Sequence, residues 1–134
     1  MPAGEIRVAI RSDQDIVVAR QQGRNLAGEL GFSAVDATLI ATAISELARN
    51  IVVYAKEGHI TLRTIQAASR RGIEVVACDK GPGIPDIRQA LRDGFSTSGS
   101  LGLGLPGVRR LMDEFEVVSE PGQGTCVTVK KWRH

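Results

Sequence analysis

Glu46 and Asn50 stand four residues apart in the run ISELARNIV. On a helix that spacing puts both side chains on one face. A carboxylate and an amide oxygen are hard donors, suited directly or through water to Mg²⁺ on a nucleotide. The carboxylate can also act as a general base toward an attacking hydroxyl, an effect of roughly 10²–10⁴ in rate. A solvated helix face beside Leu47 and Ile51 is the plainer use of the same pair. Asp79 ends the apolar run IEVVAC and is followed by Lys80, Gly81 and Gly83. An acid at a buried strand end must find donors, because an unpaired buried charge is costly. It fits an ordinary turn, and it fits an acceptor for the exocyclic amine of adenine. Gly81 and Gly83 would then let the backbone turn beside the base.

From Asp79 to Gly107 the chain reads DKGPGIPDIRQALRDGFSTSGSLGLGLPG and holds nearly half of the fifteen glycines. So little side chain suits a backbone that bends sharply and comes close to a ligand. Gly102, Gly104 and Gly107 lie at an expected helix start, with Leu103 between the first two. Free N–H groups and the helix dipole make such an end a phosphate site. The spacing is not GxxxxGK[ST], and no Rossmann strand order accompanies it. A loop closing tightly over the core is the other use. Phe95, Ser96, Thr97, Ser98 and Gly99 read as a lid with hydroxyls in reach of phosphate, or as an exposed loop. Gly124-Thr125 opens the last strand, where Thr125 can support a base site or simply serve as a strand residue.

These residues need elements to hold them. EIRVAI (5–10) alternates as a strand. Ser12 with Asp15, and Ser33 with Asp36, mark two helix starts. Ile16, Ala19, Gly23, Leu26, Ala27 and Leu30 form the first apolar stripe, ended by Gly31. Val35, Leu39, Ala43, Ile44, Leu47 and Ile51 form the second, in a long helix reaching about Tyr54 and stopped at Gly58. HITLRTIQ (59–66) and GIEVVACD (72–79) make an antiparallel hairpin around Ser69-Arg70-Arg71-Gly72. A short helix is expected from Asp86 to Arg92, a mobile loop over 93–103, and a helix from Leu105 to Phe115 with Pro106 in its first turn. EVVS (116–119) and TCVTVKKW (125–132) are the last two strands. The order βααββ(α)αββ predicts a two-layer α/β sandwich, its sheet mainly antiparallel and its helices on one face.

At 134 residues the chain fits one domain. A net charge of +2 with 4% aromatics argues against a nucleic-acid surface. No apolar run approaches the roughly 20 residues of a membrane span, and MPAGEIRVAI does not read as a secretory leader. Cys78 and Cys126 are expected to be buried strand thiols in a reducing cytoplasm, not a metal site or a disulfide framework.

In order, Glu46-x-x-x-Asn50, Asp79-x-Gly81-x-Gly83, Gly102-x-Gly104 and Gly124-Thr125 are far more specific together than singly. The combination resembles the GHKL ATP-binding superfamily of gyrase-type ATPases, Hsp90 and histidine kinases, over nearly the whole chain. The resemblance implies the Bergerat α/β sandwich, with a mixed, mainly antiparallel sheet, as a single domain over 1–134. ISELARNI, DKGPGIPDI, DGFSTSGSLGLGLPGVRRLMDEF and KKW are similar to one branch, the small anti-sigma-type serine/threonine kinases of bacterial stress signalling. That likeness implies ATP and Mg²⁺ as cofactors and transfer to serine or threonine on STAS-domain scaffold and antagonist proteins of the stressosome. It also implies that the released kinase binds and activates a PP2C-type phosphatase. Carried over, Glu46 is the catalytic base and Asn50 holds Mg²⁺. Asp79 binds adenine, with Thr125 helping through water, and Gly81 and Gly83 shape that pocket. Ser96, Thr97, Ser98, Gly99, Gly102, Leu103 and Gly104 belong to the ATP lid, and the helix from Leu105 faces the phosphates. Arg49 is a partner or phosphate contact, or a surface arginine. The alternative output is a nucleotide-gated switch with little transfer activity; Glu46 favours transfer, since a pure binder needs no base.

Overall fold

In a computed structural model of the chain, the residues described are 5–81, 104–120 and 122–133. Strand β1 spans Ile6–Ile10 and leads into helix α1, Asp13–Glu29. The expected start holds: the Asp15 carboxylate accepts the N–H of Arg11 at 2.8 Å and of Ser12 at 3.2 Å. All six residues of the expected α1 stripe are buried. Gly31, at φ +85°, turns the chain away, a conformation open to glycine.

Helix α2, Ala34–Asn50, begins where Ser33 Oγ accepts the Asp36 N–H at 3.1 Å. Its buried set is Ala37, Ile40, Ala41, Ala43, Ile44, Leu47 and Ala48. This is wider than the expected stripe and displaced from it, with Val35 69% exposed. The cause is packing on several sides: α2 lies against α1, the sheet and a third helix at once. Alanines at 37, 41, 43 and 48 allow that close approach, and Val35 lies ahead of it. A π turn, Ile51–Ala55, continues α2, and Lys56 at φ +73° ends it two residues before Gly58. The combined helix, Ala34–Ala55, is long and apolar enough by length and composition to cross a membrane. In this fold Ala37, Ile40, Ala43, Ile44, Leu47, Ala48 and Ile51 of that helix belong to the core, while Val35, Val53 and Tyr54 are exposed.

Strands β2 (Gly58–Ala67) and β3 (Arg70–Asp79) pair antiparallel as expected, but through a tighter turn. Ala67 faces Arg70, so only Ala68 and Ser69 connect them, with Ala68 at φ +53°. Helix α3, Gly104–Leu111, stops short of the expected Phe115. Lys131 Nζ donates to the Leu111 carbonyl at 3.0 Å, satisfying the helix end. Phe115 instead lies in β4, Glu114–Glu120, opposite Val129 of β5, Gly124–Trp132. The sheet order is β1-β2-β3-β5-β4, and every pairing among the described residues is antiparallel, so the expected mixed component is not seen there. The helix expected at Asp86–Arg92 and the loop expected at 93–103 lie outside the described residues.

Strand alternation gives the sheet two faces. Ile60, Leu62, Ile73, Val75, Ala77, Val127 and Val129 face the helices and are buried. Arg63, Glu74 and Lys130 form a cross-strand row on the open face, with Arg63 and Glu74 at 2.9 Å. His59, Cys78, Cys126 and Val118 form another. Cys78 and Cys126 are joined in a disulfide and are half-buried, which corrects the expectation of two buried free thiols. The pairing follows from register, since they are direct partners across β3 and β5.

Burial, then the positive charges of Arg7 and Lys80, hold the His59 pKa below its ordinary 6.5. The unfolded chain therefore takes up this proton more readily. Stability from His59 is present above pH 6.5 and is lost as the pH falls below it toward the lowered folded value. In urea titrations at about pH 7.5 and 5.5, His59→Gln should narrow the loss of stability seen on acidification. An unchanged loss would remove His59 as a cause.

Candidate nucleotide site

Asp79 ends β3 on the helix-facing side of the sheet, in step with buried Ala77 and Val75. Its Oδ1 accepts the Gly81 N–H at 2.9 Å and the Thr125 N–H at 3.3 Å. One carboxylate oxygen thus ties the turn after β3 to the start of β5. Among the described residues both hydrogen bonds end on Oδ1.

Three glycines surround this carboxylate's backbone. Gly58 faces Asp79 across β2 and β3, where a Cβ would lie 3.1 Å from the Asp79 Cα and 3.0 Å from Ile51 Cγ2. Gly124, at φ +109°, packs on the Asp79 carbonyl, and its Cβ would come within 2.9 Å of the Lys80 Cα. Gly81 meets the π turn: a Cβ there would lie 2.6 Å from Ala55 Cβ and 2.9 Å from Ala55 Cα. That last contact joins the halves of the site. The helix carrying Glu46 and Asn50 runs directly into the turn that abuts Gly81.

Glu46 and Asn50 are both partly exposed on α2, while Leu47 and Ala48 between them are buried. Their helical spacing is as expected, so a carboxylate and an amide stand together at the C-terminal end of α2. Arg49 is exposed beside them. Thr125 lies across from Ser119 on β4, and their hydroxyls pair at 2.8 Å. Ser119 also donates to the Gly124 carbonyl at 3.3 Å. Ser119 and Gly58 were not among the residues expected at the site. Their signal was register: Ser119 follows from folding the EPGQG turn, and Gly58 from folding the β2–β3 hairpin. Gly104 opens α3, whose Leu105 and Val108 are buried in the core, as is Met112 just after its end. Gly83, Ser96, Thr97, Ser98, Gly99, Gly102 and Leu103 lie outside the described residues.

The sandwich with an Asp–Gly clasp at its strand end defines a class of nucleotide-binding protein, and comparison with known proteins agrees. Residues 35–133 match the family described as histidine kinase-, DNA gyrase B-, and HSP90-like ATPase. The chain belongs to that family. Within it the chain is RsbT-like: it is 56% identical over 125 residues to the serine/threonine-protein kinase RsbT of Bacillus subtilis (strain 168), covering 93% of this chain and 94% of that one. It is 37% identical over 97 residues to the anti-sigma F factor of Thermoanaerobacter sp. (strain X514), covering 69% and 68%. A crystal structure of the RsbU and RsbW domains of Rv1364c from Mycobacterium tuberculosis superposes with a TM-score of 0.64 at 19% identity, over 99% of this chain and 34% of that one. This last likeness speaks for the fold.

Gly124→Ala should destabilise the fold by about 1–3 kcal/mol, because a side chain there meets both a left-handed backbone and the Asp79 carbonyl. Urea denaturation measures this. A change under about 0.5 kcal/mol, the range of ordinary surface substitutions, would show that the clasp tolerates a side chain.

Proposed function

We propose that this chain is an ATP-dependent protein serine/threonine kinase, acting as a single ATP-binding domain over 1–134. The observation that carries the reading is the Asp79 carboxylate, oriented through Oδ1 by Gly81 and Thr125, with Gly81 packed on Ala55 in the π turn that continues the helix bearing Glu46 and Asn50. Asp79 Oδ2 accepts the exocyclic amine of adenine, and the Thr125 hydroxyl helps through a water. Gly81 and, by the family resemblance, Gly83 would shape that pocket. The residues that would hold the triphosphate are those at the start of α3 together with Ser96 to Gly104, the segment that the family resemblance assigns to the ATP lid.

Asn50 holds Mg²⁺. The fit rests on donor chemistry: Mg²⁺ takes one or two hard protein oxygens and completes its shell with water and phosphate. The half-exposed amide of Asn50, at the helix end, is such a donor. When bound, the ion offsets charge on the phosphates. Glu46, one helical turn earlier, accepts the proton of the acceptor hydroxyl as its oxygen attacks the γ-phosphorus and ADP departs.

The acceptors are serine or threonine side chains of STAS-domain scaffold and antagonist proteins. On release from the scaffold, the kinase binds and activates a PP2C-type phosphatase in the cytoplasm. The 56% identity to a protein named a serine/threonine kinase supports transfer as the output. A second reading, a nucleotide-gated switch with little transfer, is favoured by the relatives named anti-sigma F factors.

Transfer of radiolabelled phosphate from ATP to purified STAS domains separates the two. Glu46→Ala should bind ATP normally and lose roughly 10²–10⁴ in transfer rate. Absence of transfer by the wild-type chain would favour the switch, and a normal rate in Glu46→Ala would remove it as the base. Asn50→Ala should abolish the Mg²⁺ dependence of ATP binding in calorimetry. Binding that still strengthens with Mg²⁺ would rule out its metal role.

A further inference from the structure

Cys78 and Cys126 are the only two cysteines in the chain. They are bonded across β3 and β5 as direct partners, with Cα atoms 4.1 Å apart. Each is the chain neighbour of a clasp residue: Cys78 precedes Asp79, and Cys126 follows Thr125. Alternation places the sulfurs on the open face and the clasp on the helix face of the same two strands. Both cysteines are half-buried rather than enclosed. The bond lies at the end of the β3–β5 ladder, where Cys78–Cys126 is the last registered pair. Beyond it the two strands are joined by the Asp79 to Thr125 hydrogen bond, which at 3.3 Å is longer than the common range.

We propose that Cys78–Cys126 is a reversible redox modification site that sets affinity for ATP. The proposal rests on the assignment of Asp79 and Thr125 to the adenine pocket. In the oxidised chain the covalent tie holds the strand ends together one residue before the clasp. Asp79 and Thr125 are then already in position when the base arrives. In the reduced chain the ladder ends on two separate thiols. The Asp79–Thr125 bridge must be ordered on binding, which lowers affinity.

The chemistry is thiol–disulfide exchange with a dithiol. A thiolate of the reductant attacks Sγ of one cysteine, the Cys78–Cys126 bond breaks, and the departing thiolate takes up a proton. The second thiol of the reductant then displaces the mixed disulfide. The reductant leaves as a disulfide, and the chain has gained two electrons and two protons. The reverse step uses a disulfide oxidant. In the cytoplasm proposed for this chain, disulfides are typically transient and redox-sensing.

The test is ATP titration by calorimetry on the full chain, oxidised with glutathione disulfide or reduced with dithiothreitol, with thiols counted in each state. Cys78→Ser/Cys126→Ser and the single Cys126→Ser serve as controls. The oxidised chain should bind ATP about threefold or more tightly than the reduced chain, and dithiothreitol should reverse the gain. The serine variants should bind like the reduced chain and ignore dithiothreitol. The oxidised chain should also melt higher, by on the order of 10 °C. A higher melting temperature with equal ATP affinity makes the bond a structural staple and overturns the proposal. So do two titratable thiols persisting after oxidation. Asp79→Asn keeps the two readings apart. If it weakens ATP binding while the redox state changes nothing, the redox proposal alone fails. If it leaves ATP binding unchanged, the adenine assignment itself fails.

Discussion

The site depends on one carboxylate oxygen. Asp79 Oδ1 receives N–H groups from a turn two residues ahead and from Thr125, 46 residues later in β5. A half-buried carboxylate needs such donors, and here they are backbone groups from two separate segments. Around the carboxylate the backbone is tight: a Cβ at 124 would press on Asp79 and Lys80, one at 81 on Ala55, and one at 58 on Ile51 and the Asp79 Cα. Glycine at these positions keeps those approaches open.

The helix layer meets the clasp at one point. Ala55, in the π turn that extends α2, lies on Gly81. A π turn changes the direction of the residues that follow it relative to an α-helix. That change brings the end of α2 onto the strand end. Glu46 and Asn50 lie on the rigid portion just before the turn, anchored by Ile44, Leu47 and Ala48 in the core. Chemistry-bearing residues are thus held by packing on one side and by hydrogen bonds on the other. Ser119, through the hydroxyl of Thr125 and the carbonyl of Gly124, steadies the far edge.

Much of this could be read from the chain. The two helix starts at Ser12 and Ser33 were legible because capping is local: donor and acceptor lie within four residues. The α1 stripe was legible because α1 buries one face. The α2 stripe was misjudged because its burial depends on how many neighbours surround it, which no periodicity records. The β2–β3 turn came out shorter than expected, since Ala68 takes up a positive φ that its residue type does not announce. The end of α3 was placed too late because Phe115 fits a helix stripe and a strand equally well. Lys131, from a distant strand, decides where that helix stops. The pairing of the cysteines escaped for the same reason: their separation of 48 residues says nothing of the register that makes them neighbours.

By itself the sequence determined the family and, among the described residues, the order of elements. The boxes Glu46–Asn50, Asp79–Gly81 and Gly124–Thr125 are short-range patterns whose chemistry survives without coordinates. Residue type and spacing suffice for caps, turns and helical faces because those interactions close within a few residues. Only the tertiary structure decided which groups complete each other. It joined Asp79 to Thr125, Gly81 to Ala55, Ser119 to Thr125 and Cys78 to Cys126. Each of those pairs depends on strand register or helix placement, and these are set by burying one continuous core rather than by any local run of residues.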